Sequence, residues 1–462
     1  MKIKLENQKY DTALFPTEWR YSAAIVGLVR YFKNQGIAFE MDYEYDGWKG
    51  IAYCQEELTE ERFLEFAEDY YGEAFPHRKA EEMLQGDEWT DEQIKLINET
   101  LKGNTILKKT VKTKFDGGNR EEILKILEDN RETIIRDSFK NKKNMYAKFA
   151  NTNLLFTEEN PHCRLVGYNV DEGRKTRSLA YGFEENAFQE TDIWEFDWIP
   201  FAFSDTYESF FIHNNASIKS LCRTADRLKE IMEKTRDEKE GVRTTLLKSM
   251  AQAQDFIDFD VEVISKSQDK GYFESLFVRR EALKALGKTS DLSLLRFRRE
   301  LAPEYWLDVQ KEVVDCCINQ VSLDSLIETL FKIKEKEGTG YLNVVIGQLI
   351  NLSLEWGEDM EKEKKKTSIY VAKQCGIDTV KKLRSQGKEN KLKSYRQKLT
   401  SAIVFHDYDR VNEILLQLSA YAELPYPFAY SLFEDGEGNK EIAFAFINAL
   451  DPSSGERKQE EK

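Results

Sequence analysis

The chain predicts an α+β N-terminal domain followed by a mostly α-helical C-terminal half that ends in a small helical bundle. Three observations lead there. Asp46-Gly47, a strong hairpin-turn signal, separates strand-like runs at Ile37 to Tyr45 and Trp48 to Tyr53. From about Ser217 onward, apolar residues recur at helical spacing. Between Gly387 and Leu450 two amphipathic helices follow one another before Pro425 and Pro427 stop the second.

In chain order, Ile3-Lys4-Leu5 alternates as a short strand does. Pro16 then precedes a helix over TEWRYSAAIVGLVRYFKNQG, with Thr17 as its cap, Ala24, Leu28 and Tyr31 or Phe32 as its apolar stripe, and Gly36 as its end. The acidic stretch from Thr59 to Leu101 reads as helices. Gly117-Gly118-Asn119 breaks the chain before a helix from Arg120 to about Phe139. Leu165 to Val170, Ser178 to Phe183 and Trp198 to Phe203 are strand candidates. Helical periodicity then marks Ser217 to Lys234, Tyr272 to Leu286, Leu307 to Asn319, Leu323 to Glu335 and Tyr341 to Glu355. In the terminal hairpin Leu392, Tyr395, Leu399 and Ile403 share one face, Asp409 is placed to cap the next helix, and Val411, Ile414, Leu415, Leu418 and Tyr421 repeat the spacing. The charged junction EWGEDMEKEKKKTS separates middle from end. These readings divide the chain into an α+β domain at 1–216, a helical middle region at 217–355, a helical bundle at 360–450 and a disordered tail at 451–462.

With 462 residues and a formal net charge of −15, the chain can bury ample core but looks too acidic to meet nucleic acid. The charge is uneven, however. Glu40 to Glu99 holds 19 Asp/Glu against 5 Lys/Arg, whereas Lys102 to Lys148 holds 13 Lys/Arg against 7 Asp/Glu and Glu361 to Arg410 holds 14 against 6. The two basic stretches are candidate phosphate-facing surfaces, although any one charge run also reads as a solvated helix face. Six cysteines form no CxxC pair and no apolar leader follows Met1, which predicts a cytoplasmic chain with reduced thiols. The longest small or apolar stretch, Ser22 to Val29, is far below the ~20 residues of a spanning helix, so no membrane contact is expected.

Catalysis is not expected. The four histidines, His77, His162, His213 and His406, make no HExxH or HxxxH arrangement, and no phosphate loop, dinucleotide fingerprint or nucleophile elbow is present. DFIDFDVEVISK, from Asp255 to Lys266, resembles a nuclease strand but has Ile264 where Glu-x-Lys needs lysine. His162-Cys163 are sequence neighbours, which rarely face each other as a dyad. No cofactor or metal is expected. Lys391 and Lys398, seven apart on a helix with an apolar opposite face, share a flank with Lys388 and suit phosphate contact. The crowded Trp194, Phe196, Trp198, Phe201, Phe203, Phe210 and Phe211 can stack on bases, but core packing explains them more economically.

The order glycine, ENKLKSYRQKL, a short acidic turn, a Leu-rich helix, a proline stop and AFAFINAL resembles the C-terminal bundle of the large subunit of type I-B CRISPR Cascade. FPTEWRYSAAIVGLVRYF, KFANTNLLF and WIPFAFSDTYESFFIHNNASIKSL are similar to the N-terminal helix and central landmarks of that family, in the same order. Some relatives carry two CxxC pairs suited to zinc, and this chain has none. The resemblance implies a non-catalytic subunit that inspects the protospacer-adjacent motif, holds target double-stranded DNA and presents the loaded complex to a helicase-nuclease. Its partners would be the guide RNA-containing Cascade subunits and a small subunit begun inside the same gene, for which Met360 is the candidate start. Inspection needs polar groups that reach base edges, so Lys148, Asn151, Asn153, Asn214 and Asn215 are the motif-reading candidates. Paired asparagines also cap helices and make turns. Two rival readings stand beside this one: a divergent nuclease or abortive-infection effector, and an acidic cytosolic interaction scaffold.

Overall fold

The structure is a computed structural model that describes the chain apart from residues 7–8, 87, 169–190, 205–207, 215, 235–259, 268–270, 283–291, 338–339, 357–358 and 452–462. The expected fold class holds: small sheets and helices in the N-terminal part give way to a mostly helical C-terminal part. Two compact units share the chain, and among the described residues the first ends at Val278 and the second begins at Arg279. The expected division at 216/217 therefore falls inside the first unit.

In that unit β1 (Lys2–Lys4), β2 (Thr12–Leu14), β3 (Glu40–Tyr45) and β4 (Trp48–Tyr53) form an antiparallel sheet in the order β1-β2-β4-β3. Asp46 and Gly47 both have positive φ, 49° and 78°, as the expected tight hairpin requires. A bulge between Met41 and Tyr43 turns the Asp42 carboxylate toward the Ile218 N–H, 3.0 Å away. Helix α1 (Trp19–Asn34) is buried on almost every side. Its N-cap is Glu18 rather than Thr17, because the Thr17 hydroxyl accepts a hydrogen bond from the Met1 amino group at 2.8 Å. Gly27 lets α1 press against backbone: a Cβ there would lie 2.1 Å from the Trp198 carbonyl oxygen.

The acidic stretch is helical, as α2 (Glu60–Tyr71), α3 (Pro76–Met83) and α4 (Asp91–Gly103). The basic stretch supplies α5 (Thr105–Thr110), α6 (Arg120–Asp129) and α7 (Arg131–Asn141). The single helix expected from Arg120 to Phe139 breaks at Asn130, whose side-chain amide donates to the Ile126 carbonyl and competes with helix continuation. These stretches neutralise each other in part: Arg136 pairs with Glu60, and Arg131 with Glu68 and Glu81. Ala80, Leu101, Leu107, Phe115, Ile123 and Ile134 belong to a small helical core, whereas Ile135 and Phe139 join the main core around α1.

Helix α8 (Tyr146–Phe149) leads to Leu165, which makes only an isolated bridge to Ala150; residues 169–170 and the strand candidate Ser178 to Phe183 lie outside the described residues. Trp198 to Phe203 is not a strand. Trp194–Phe201 is a buried 3-10 helix, a form compatible with Pro200, which has no N–H for a ladder. A second antiparallel sheet follows, with β5 (Glu208–His213), β6 (Val261–Ser267) and β7 (Glu274–Val278) in sequence, and α9 (Ile218–Lys234) joins the same unit. The first part of the helix expected from Tyr272 to Leu286 is corrected by β7, where Leu276 and Val278 point inward and Ser275 and Phe277 outward, a period of two; residues 280–282 are helical and 283–286 lie outside the described residues.

In the second unit a 3-10 turn at Leu292–Leu295 precedes the hairpin β8 (Arg298–Ala302) and β9 (Tyr305–Asp308). Helices α10 (Val309–Asn319), α11 (Asp324–Glu337), α12 (Tyr341–Trp356) and α13 (Asp359–Ser385) follow. The hairpin α14 (Glu389–Val404) and α15 (Tyr408–Ala422), then α16 (Ala429–Glu434) and α17 (Lys440–Ala449), complete it. Asp407, not Asp409, caps α15 by accepting the Arg410 N–H at 3.0 Å. One core joins Leu326, Leu342 and Ile346 to Leu392, Leu399 and Phe446. The division expected between 355 and 360 is therefore no division of the core: α12 and α13 both pack on α17. Most of the charged junction continues as the first turns of α13. The tail from 452 lies outside the described residues.

Candidate nucleic-acid interface

Helix α14 has the two faces its sequence predicts. Leu392, Leu399 and Ile403 are buried, while Lys391, Lys393 and Lys398 are exposed. Lys388, at the N-cap, extends its ammonium 4.8 Å from the Tyr421 ring, and the Lys398 ammonium lies 5.8 Å from the Tyr395 ring. Tyr395 and Tyr421 meet across the α14–α15 hairpin with ring centroids 6.0 Å apart. Cations on an aromatic pair keep their stems ordered and their charge in solvent, an arrangement suited to a polyanion.

Much of the basic stretch is already used. Arg396 turns inward to Glu335 at 2.5 Å and Asp451 at 3.2 Å, and Arg384, Lys382 and Arg410 pair with Glu389, Glu423 and Glu413. Lys334, 3.3 Å from Asp451, is so deeply buried that its pKa falls to about 8. Lys391, Lys393 and Lys398 are in no ion pair among the described residues. On helix α13 Tyr370, Lys373 and Lys381 are also exposed, and the sequence did not single them out, although they recur at a spacing of three and eight residues on one helix.

The N-terminal candidates fare differently. Lys148 is buried and donates to the Ser209 hydroxyl at 2.6 Å, so its ammonium is turned away from any base edge. Asn214 is fully buried: its amide donates to Ser220 and Thr224 at 2.9 and 3.0 Å, and its oxygen accepts the Ala216 N–H at 3.2 Å. Both are packing residues in this conformation, because burial supplied the partners that sequence does not display. Asn215 lies outside the described residues. Asn151 accepts the Asn153 N–H at 3.1 Å and caps the short 3-10 turn Thr152–Leu154, which leaves the exposed Asn153 side chain facing solvent.

What the structure brings together are the two central landmarks. Arg164, with no exposure, donates to both oxygens of Asp192 at 3.0 and 3.1 Å and lies 2.8 Å from Asp197. Asp197 also accepts from the Tyr146 hydroxyl at 2.6 Å and the Phe156 N–H at 3.0 Å. Burial raises Asp197 above the usual carboxylate range even with Arg164 beside it. No motif in the sequence marks this network. Phe196, Trp198, Phe201, Phe203, Phe210 and Phe211 are all buried, and Trp194 packs against the same core.

Glu262, the glutamate of the failed Glu-x-Lys pattern in the nuclease-like run, receives the His213 ring at 2.9 Å and the Ser275 hydroxyl at 2.8 Å across the β5-β6-β7 sheet. Chiefly the His213 hydrogen bond holds it below the usual carboxylate range. Asp255 lies outside the described residues. Burial raises the Cys163 thiol to about 11, which keeps it protonated and unreactive. Among the described residues no three His, Cys, Asp or Glu side chains converge as a metal site, and no helix is long and apolar enough to cross a membrane.

A family model described as CRISPR-associated protein Csx8 matches residues 10–450. No curated protein and no solved structure matches the chain.

Proposed function

Because the chain belongs to the CRISPR-associated protein Csx8 family, we propose that it is the non-catalytic large subunit of an RNA-guided interference complex of the type I-B Cascade kind. In this role it inspects the protospacer-adjacent motif, binds target DNA and helps recruit the helicase-nuclease, in company with the guide RNA-containing subunits. The carrying observation is the α14 face, where lysines with no acidic partner among the described residues stand on the Tyr395–Tyr421 pair. Such a surface follows a phosphate backbone without reading its sequence.

The test is target-DNA binding by the assembled complex as a function of salt. Lys391→Glu with Lys398→Glu is expected to weaken binding to all sequences alike and to flatten the log–log salt slope by about 2. An unchanged slope would show that this flank is merely solvated. Asn153, the one described motif-reading candidate left with an exposed side chain, is expected to act on discrimination instead. Asn153→Ala should reduce the preference for motif-bearing duplex by about tenfold, within the range of a lost base contact. An unaltered preference would place the reader elsewhere.

The same gene is proposed to make the small subunit from Met360. The codons of Trp356 to Asp359 permit a purine-rich ribosome-binding run just before it. The product lacks the acidic N-terminal stretch and keeps Lys388, Lys391 and Lys398. It also lacks α11 and α12, which share the core with α14 and α17, so apolar surface is left for a neighbouring subunit to cover. Mass spectrometry of the purified complex should find a fragment from Met360 to Lys462 that disappears when the Met360 codon is made non-initiating. Its absence from the unaltered complex would end the proposal.

A further inference from the structure

Two cores meet along α7, and between them lies a groove. Ile134 packs into the small helical core with Ala80 of α3 and Leu107 of α5, and Ile135 into the main one. The gap, about 700 Å³, is bordered by α3, α5 and α7 and is within the size range of sites that hold small ligands. Its lining contains Lys79 and Lys109, both exposed, together with Glu73 and Asp137. None of these four is in an ion pair among the described residues, although cations and carboxylates line one cavity. This contrasts with the neighbouring acids Glu60, Glu68 and Glu81, which have all found arginines. At the wall Ser138 is only 3% exposed, and its hydroxyl has no hydrogen-bond partner among the described residues. Lys79 and Lys109 thus bring cations to the groove, Glu73 and Asp137 bring acceptors and Ser138 a buried hydroxyl, while Lys142, also in the lining, donates to the Ala74 carbonyl.

A simple anion would satisfy only the lysines and would be opposed by Glu73 and Asp137. A deoxyribose strand has the same defect. A ribonucleotide offers both complements, since its phosphate meets ammonium groups and its 2′-hydroxyl donates to a carboxylate. We infer that the α3–α5–α7 groove binds ribonucleotide, with Lys79 and Lys109 on phosphate and Asp137 accepting from the ribose 2′-hydroxyl. The inference is independent of the DNA-binding role proposed for α14. It gives the basic stretch between Lys102 and Lys148 a ligand of its own.

The purified full chain is titrated with a labelled ten-nucleotide oligouridine RNA, with the deoxyuridine oligomer and with AMP as competitor. RNA is expected to bind at least about fivefold more tightly than the DNA oligomer. Competition by AMP would identify a free ribonucleotide as sufficient, and its failure to compete would identify a strand; both support the site. Lys79→Glu with Lys109→Glu should lower RNA affinity at least about tenfold, and because both side chains are exposed the fold is retained, as a matching thermal melt would verify. Lys79→Gln with Lys109→Gln repeats the test without charge reversal. Asp137→Asn separates recognition from repulsion: a carboxylate that only repels anions would, when removed, tighten RNA and DNA equally. Loss of the RNA-over-DNA preference supports the assignment. Equal binding of the two oligomers, or RNA affinity unmoved by the lysine changes, overturns it.

Discussion

Arg164→Met is expected to unfold the N-terminal unit while the helices from Asp324 onward stay folded. The side chain fits the space but removes the guanidinium that pairs with both Asp192 and Asp197, two carboxylates that are 5% and 0% exposed. Removing one partner of a buried ion pair leaves an uncompensated charge and typically costs ~3–5 kcal/mol, a large share of a whole domain's stability. The backbone loses too, because the same guanidinium donates to the Leu154 and Thr157 carbonyls. Hydrogen exchange would show α1 and the Trp194–Phe201 segment losing protection, with Leu399 and Phe446 amides unaffected, since those sit in a different core. Adding Asp192→Asn and Asp197→Asn should return much of the loss by removing the unpaired charges. Full protection in Arg164→Met alone would mean that the network is dispensable.

Gly27→Ala should be the second most damaging small change. In an exposed helix alanine gains about 1 kcal/mol over glycine. At Gly27 the added carbon meets the Trp198 carbonyl oxygen at 2.1 Å and the Trp198 Cβ at 2.9 Å, so α1 must move off the 3-10 helix beneath it. Overpacking of this kind costs about 1–3 kcal/mol. Melting should fall by several degrees. Gly103→Ala, at the end of α4 with nothing within 4 Å of the new carbon, is the control and should show no loss. Equal melts for the two variants would contradict the close approach.

Elements whose pattern is local were legible in the sequence. The Asp46-Gly47 hairpin, α1 and the α14–α15 pair each state their own periodicity, and their apolar faces are the buried ones. The strand expected at Trp198 to Phe203 and the helix expected where β7 lies were misread because a short apolar run supports more than one conformation, and only its neighbours decide. The same limit divides the candidate residues. Lys391 and Lys398 are exposed because their helix is amphipathic, a property carried by a dozen adjacent residues. Lys148 and Asn214 owe their burial to Ser209, Ser220 and Thr224, which no periodicity links to them. The mutual pairing of the acidic and basic stretches was equally hidden, since Glu68 and Arg131 meet only through the packing of α2 on α7.

Helix α7 carries adjacent isoleucines into separate cores, and this makes its length, more than its composition, the constrained property. Substituting Ile134 or Ile135 injures one core and leaves the other. Inserting or deleting a single residue before them turns the rest of the helix by about 100°. Both isoleucines then leave their cores together, and Phe139 follows. Evolution can therefore edit the letters of 131–141 one at a time, but frame-preserving codon gains and losses in this region must collect in the connector from Lys112 to Asn119, which contains Gly117 and Gly118 and carries no helix.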